Sequence, residues 1–197
     1  MDTSALVTLS VTVLIAAGGY FATYLNNLRL ARRKDRLDRV SKQLSDFYGP
    51  LLALSRAGER SWAAFMDKYR PEARWFWDEE APPTEEQVNV YRLWVRQVFM
   101  PLNTRMVDVV TSKADLLDES HVPDILLQLC AHVASFQAIL KRWDDEDFSE
   151  NAPGIPLPGV QINEYAEATF RRLKAEQNQL LGVDTGEGEH ESARPEA

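Results

Sequence analysis

The sequence predicts an all-α protein: an N-terminal transmembrane helix followed by an antiparallel bundle of about four long, Pro-kinked helices. Three observations predict it. Residues Ser4 to Leu25 form one uncharged, mostly apolar run. Beyond that run, apolar residues recur at spacings of three and four, the period of a helix with one buried face. No segment alternates with period two, and no hairpin dipeptides separate β-branched runs.

The apolar run is long enough to matter. About 22 residues at about 1.5 Å each reach about 33 Å, sufficient to cross a bilayer core. A cleaved signal peptide would begin with basic residues and end in a small-x-small site. Here only Asp2 is charged before the run, and a basic cluster follows it. That is the order of a retained anchor. Arg29, Arg32, Arg33, Lys34, Arg36, Arg39 and Lys42 form the cluster. The positive-inside rule then places Met1 outside and the rest in the cytoplasm of a cell whose plasma membrane is spanned once. The expected domains are residues 1–27 as anchor, 28–181 as cytoplasmic helical bundle, and 182–197 as an acidic tail too poor in apolar residues to fold.

Charge is divided along the chain. The whole carries a net −8, yet the segment after the span is basic. Arg29, Arg32, Arg33, Lys34, Arg36 and Arg39 are candidates for contact with anionic headgroups, at about 1 kcal/mol each. The blander alternative is that they only fix topology. The acidic balance lies in Asp144 to Glu150 and in the tail. This excess of acid argues for no nucleic-acid partner. Cys130 is the only cysteine, so no internal disulfide forms, as expected of a cytoplasmic domain.

The first helix of the body runs on from the anchor. Leu37, Val40, Leu44, Phe47, Leu51, Leu54, Gly58, Trp62, Phe65 and Tyr69 form a heptad-like seam. The bulk of Trp62, Phe65 and Tyr69 favours packing inside one bundle over a two-chain coiled coil. Pro50 should kink this helix, and Pro71 should end it. Residues 71–83 form a loop holding Trp75, Phe76 and Trp77. These three either cap the core or offer an exposed partner contact. Thr84 and Gln87 form a capping box for the second helix. Its stripe is Val88, Tyr91, Val95, Val98, Leu102, Met106 and Val109, and Pro101 interrupts it. The third helix starts near Pro123 and buries Ile125, Leu126, Leu129, Val133, Phe136, Leu140 and Trp143. An acidic, then proline-rich linker leads to a last helix from about Val160 to Leu181.

Chemistry is sparse. His121, His132 and His190 are the only histidines, and no Glu-x-x-His pairs lie on facing helices of the bundle, so no metal site is expected. There is no nucleophile elbow, P-loop or dinucleotide fingerprint. No cofactor and no catalytic residue is therefore expected. His132 reads as a core histidine bonded to a neighbouring helix. Asn103 reads as a partner for carbonyls released by the Pro101 kink. In the span, Ser4, Thr8, Thr12, Ala16 and Gly19 share one small face that would let a second helix approach closely.

Several stretches carry a resemblance. They are the anchor, then Gln43-Leu44-Ser45-Asp46-Phe47-Tyr48-Gly49-Pro50-Leu51, then Trp94 with Met100-Pro101-Leu102-Asn103. His132, Trp143, Leu173 to Gln177, Leu180 and Leu181 follow. Together these are similar to a group of uncharacterised bacterial single-pass membrane proteins with a cytoplasmic helical domain. The resemblance implies that architecture and that location, and no activity. The excess of arginine over lysine fits a GC-rich bacterial source.

The leading functional expectation is a membrane-anchored, non-enzymatic interaction or scaffold protein. Its partners would be the lipid bilayer and a second protein or another copy of itself. A sensor or effector, relaying a state change between bundle and span, is the first alternative. An enzyme with an unrecognised site is the second. A sensor should carry a buried polar cluster around Pro50 and Pro101. An enzyme should carry a concave pocket that gathers polar groups.

Overall fold

The computed structural model describes residues 3–183, with side chains from residue 17 onward. The all-α expectation holds: among the described residues there is no strand. The chain divides into two compact units, residues 1–41 with 177–197 and residues 42–176.

The first unit contains nearly all of α1 (Thr3–Lys42) and the end of α6 (Gly159–Leu181). At its far end Gln177 Nε2 donates to Ser41 Oγ at 3.0 Å. Arg33 Nε donates to the Leu180 carbonyl at 2.8 Å. That carbonyl is one of the last four of α6, which have no partner within the helix. Gly182 then turns the chain through φ +71, and Val183 N–H reaches back to Asn178 O at 3.0 Å. This is a Schellman stop, and glycine allows its left-handed residue.

Among the described residues no helix is long and apolar enough to cross a membrane. The expected transmembrane helix is therefore unsupported by the described residues. The side chains of residues 1–16, which carry most of the apolar run, lie outside the described residues, as do residues 184–197 of the expected tail.

The second unit is a bundle of antiparallel helices. After a turn at Gln43–Tyr48 come α2 (Gly49–Tyr69), α3 (Glu85–Trp94), a second such turn at Val95–Phe99, and α4 (Met100–Ser112). A short 3₁₀ turn at Ala114–Leu116 precedes α5 (Asp124–Asp144), and most of α6 completes the unit. Side-chain pairs show the antiparallel order. The Trp62 and Phe99 rings lie 5.4 Å apart and those of Tyr69 and Trp94 6.3 Å apart. Arg96 pairs with Asp144 at 2.6 Å, Arg56 pairs with Glu167, and Asn163 Nδ2 donates to Glu59 at 3.1 Å.

Both prolines expected to kink a helix sit just beyond a π-helical turn. Gly49 N–H bonds Leu44 O, and Met100 N–H bonds Val95 O, each five residues back. The reason is steric. A proline inside an α-helix lacks a donor and collides with the carbonyl four residues earlier. A widened turn gives that carbonyl room, and the α-helix restarts with proline in its first turn. The π turn also widens the buried face. Gln43, Leu44, Phe47 and Tyr48 are all buried within one turn and a half.

The capping box is formed as read. Thr84 Oγ1 accepts from Gln87 N–H at 3.2 Å, and Gln87 Oε1 accepts from Thr84 N–H at 2.9 Å. Gln87 Nε2 also donates to Tyr69 O at 2.7 Å, tying the start of α3 to the end of α2. The acidic residues after α5 wrap around one guanidinium. Arg142 meets Asp147 at 2.8 Å and Glu150 at 2.6 Å, which fixes the first turn of the linker.

Candidate functional site

An aromatic cluster centred on Phe65 fills one end of the second unit. Its ring centroid lies 5.6 Å from Trp62, 5.3 Å from Tyr69, 5.6 Å from Phe76, 5.4 Å from Trp94 and 5.8 Å from Phe99. Loop residue Phe76 is only 2 % exposed and stacks on Tyr91 at 4.5 Å. Trp77 packs edge-on against both rings. Phe76 and Trp77 thus close the core, whereas Trp75 is exposed.

Next to this cluster lies a cavity of about 420 Å³. Residues of α2, α3, the second π turn, α4, α5 and α6 line it. Its wall is mainly apolar, with Trp62, Tyr91, Phe99, Met106, Phe136 and Leu157 among its members. Four polar side chains stand out in the lining: Glu59, Asn103, His132 and Asn163. Asn163 is held by its bond to Glu59, which also accepts from Arg56 at 2.8 Å. Asn103 is 5 % exposed and has no hydrogen-bond partner among the described residues. It therefore does not bridge the carbonyls loosened near Pro101, as the sequence led us to expect.

His132 is bonded to the linker, not to a neighbouring helix. Its Nδ1 lies 2.8 Å from Ile155 O. A carbonyl only accepts, so Nδ1 carries the proton and the neutral ring keeps Nε2 as an acceptor. Burial holds the imidazole below its ordinary 6.5, and the bond to Ile155 offsets part of that. The unfolded chain then takes up the proton more readily. His132 contributes stability above pH 6.5 that is lost as the pH falls through and below that value. Denaturant midpoints taken at about pH 7.5 and about pH 5.5 should show the loss, and His132→Gln should shrink it. An unchanged pH slope in the variant would count against this assignment.

A second polar cluster sits at the first π turn. Tyr48 and Tyr165 hydroxyls both donate to Glu119 Oε2, at 3.3 and 3.1 Å. Asp118 N–H donates to the Tyr48 oxygen at 3.1 Å. Burial pushes both phenols up, so both stay protonated and act as donors. Gln43 is wholly buried, and its Nε2 donates to Leu116 O at 3.0 Å while Oε1 has no donor. Tyr165 was legible as an inward residue of the last helix, but its pairing with Glu119 was not, because the two come from distant segments that only the fold joins.

The other expected residues fall outside these two places. Arg29, Arg32, Arg33, Lys34, Arg36 and Arg39 are exposed along α1. Gly19 is exposed, and Thr23 Oγ1 donates to its carbonyl at 2.9 Å. The side chains of Ser4, Thr8, Thr12 and Ala16 lie outside the described residues. Among the described residues no group of three or more His, Cys, Asp or Glu could hold a metal ion. Cys130 is half-buried, and burial pushes its thiol up, away from the reactive thiolate.

The fold and site thus define a helical bundle with a partly open cavity. No family model and no solved structure matches the chain. The chain is 26% identical over 140 residues to the "DNA replication and repair protein RecF" of Cyanothece sp.. The match covers 68% of this chain and 37% of that protein, so the chain spans little more than a third of the relative's length. This match overturns the expectation of no nucleic-acid partner. That expectation rested on a net charge of −8, which averages over a chain whose basic residues are concentrated between Arg29 and Lys42.

Proposed function

We propose that the chain is a single-pass, membrane-anchored, non-enzymatic helical protein whose body engages a partner or a second copy. The observation that carries this reading is the exposure of large apolar residues on α1. Tyr20 is 77% exposed and Phe21 61%, and Tyr24, Leu25 and Leu30 are exposed with them. The uncharged run Ser4 to Leu25 leads into these residues, and the arginines from Arg29 follow directly. Tyrosines at a headgroup boundary, with basic residues just beyond, are the pattern of a cytoplasmic membrane interface. Its likeness to bacterial single-pass membrane proteins with a helical cytoplasmic domain supports the same reading.

The test is topology. In a Cys130→Ser background, a cysteine introduced by Thr3→Cys should react with an impermeant thiol reagent in intact cells, while one introduced in the tail by Ser192→Cys should not. Carbonate washing should leave the chain in the membrane fraction. Release by carbonate, or the reverse labelling, would refute the proposal.

The polar cluster at the first π turn favours a second reading, in which the bundle also relays a change of state. Glu119→Gln would remove the charge that both phenols serve. An altered partner affinity in that variant, at unchanged helix content, supports a relay. A third reading follows from the match to a DNA replication and repair protein. In it the basic segment contacts phosphates. Binding to duplex DNA that weakens steeply with salt and is lost in Arg32→Glu with Arg33→Glu would favour it over lipid.

A further inference from the structure

We propose that the cavity of the second unit is a binding site for a small, neutral molecule with an apolar body and one hydroxyl or amide group. The inference is independent of whether α1 enters a membrane. At about 420 Å³ the cavity falls within the roughly 300–1,000 Å³ of small-molecule sites. Its aromatic lining suits an apolar body. Met100 and Met106 in the same wall adapt to ligand shape.

Asn103 fixes the polar end. It is a largely buried residue that lines the cavity and bonds no group of the protein among the described residues. In the same lining Asn163 Oδ1 is buried with no donor, and an unmade bond at such an atom costs about 1–3 kcal/mol, so a ligand hydroxyl or amide is favoured there. His132 offers a second acceptor, because its Nδ1 proton is committed to Ile155. The charge of the ligand follows from Glu59. An anion would meet that carboxylate in the lining, and a cation would compete with Arg56, which with Asn163 already occupies its Oε2. A neutral head avoids both.

Gly58 provides the independent observation. It lies inside α2, lines the cavity, and a Cβ placed on it would meet nothing within 4 Å. No close contact or positive φ demands glycine here, although glycine is about 1 kcal/mol worse than alanine inside a helix. What its missing side chain does is leave volume in the cavity. Trp62, Leu157 and Val160, the exposed large residues of the lining, mark the mouth.

The test is titration calorimetry on the purified full chain with two matched probes. One is 4-phenylphenol, and the other is 4-fluorobiphenyl, of similar shape but with no donor. The hydroxyl probe should bind roughly tenfold more tightly, as expected for one hydrogen bond. Asn103→Leu should bring the two within about twofold. Gly58→Leu should abolish binding of both while the helical melt stays cooperative. Should that variant fail to fold, Val160→Trp at the exposed mouth serves the same purpose. Equal affinities in the unaltered chain would overturn the polar end of the site. The absence of saturable binding, or binding that survives both blocking variants, would overturn the site itself.

Discussion

Phe65→Ala is expected to destabilise the helical body by about 3–5 kcal/mol, the range for removing a fully buried phenylalanine. Two terms combine. The lost ring no longer removes its own apolar surface from water. It also leaves a hole that its neighbours cannot close easily, because they are rigid aromatic plates. Trp62, Tyr69, Phe76, Tyr91, Trp94 and Phe99 all have centroids within 6.3 Å of Phe65. These rings come from α2, the loop after it, α3 and the second π turn, so one truncation loosens four segments at once. Urea unfolding, followed by both tryptophan fluorescence and circular dichroism, would measure it. A loss below about 1 kcal/mol would mean that the cluster is not a core. Phe65→Leu should recover part of the loss, since it restores volume without the ring geometry.

The second large effect is one of sign. Gly49→Ala should destabilise the body by about 2–3 kcal/mol, although alanine is normally the better helix residue. The π turn brings the Leu44 carbonyl oxygen so close that a Cβ on Gly49 would overlap it. That atom is backbone and is already the acceptor for Gly49 N–H, so it cannot simply move aside. Gly58→Ala, nine positions further along α2, should act in the opposite direction and stabilise by about 0.5–1 kcal/mol. One helix thus supplies both the test and its control. Matching signs for the two substitutions would refute the π-turn account of Gly49.

Legibility in the sequence followed the range of the interactions. The all-α class, the capping box at Thr84 and Gln87 and the two disturbed helices could be read, because each depends on residues within one or two turns. The π turns could not. Proline announces that a helix must yield but not how, and the five-residue hydrogen bond leaves no residue type of its own. Gly49 directly before Pro50 was the available signal. The cavity was hidden for a different reason. Asn103, His132 and Gly58 are unremarkable on their own helices, and their meaning depends on three elements meeting. Asn103 was read as local repair of a kink, and Gly58 as one more position in the seam. Phe76 and Trp77 were balanced between core and surface until the loop's path was known.

The paired π turns also set the rotational phase of the helices they interrupt. A π turn holds about one residue more than the α turn it replaces, so everything beyond it is rotated by roughly 100° about the axis. Pro50 fixes where that rotation occurs, since the extra residue cannot migrate past a position that lacks an N–H. The direction in which α2 aims Ser55, Gly58 and Trp62 is therefore decided by a ring that is not among the cavity's lining residues. The turn itself is the corresponding vulnerability. Reversion of Gln43–Tyr48 to α-helix with no residue lost would leave every later side chain of α2 chemically intact and facing the wrong way.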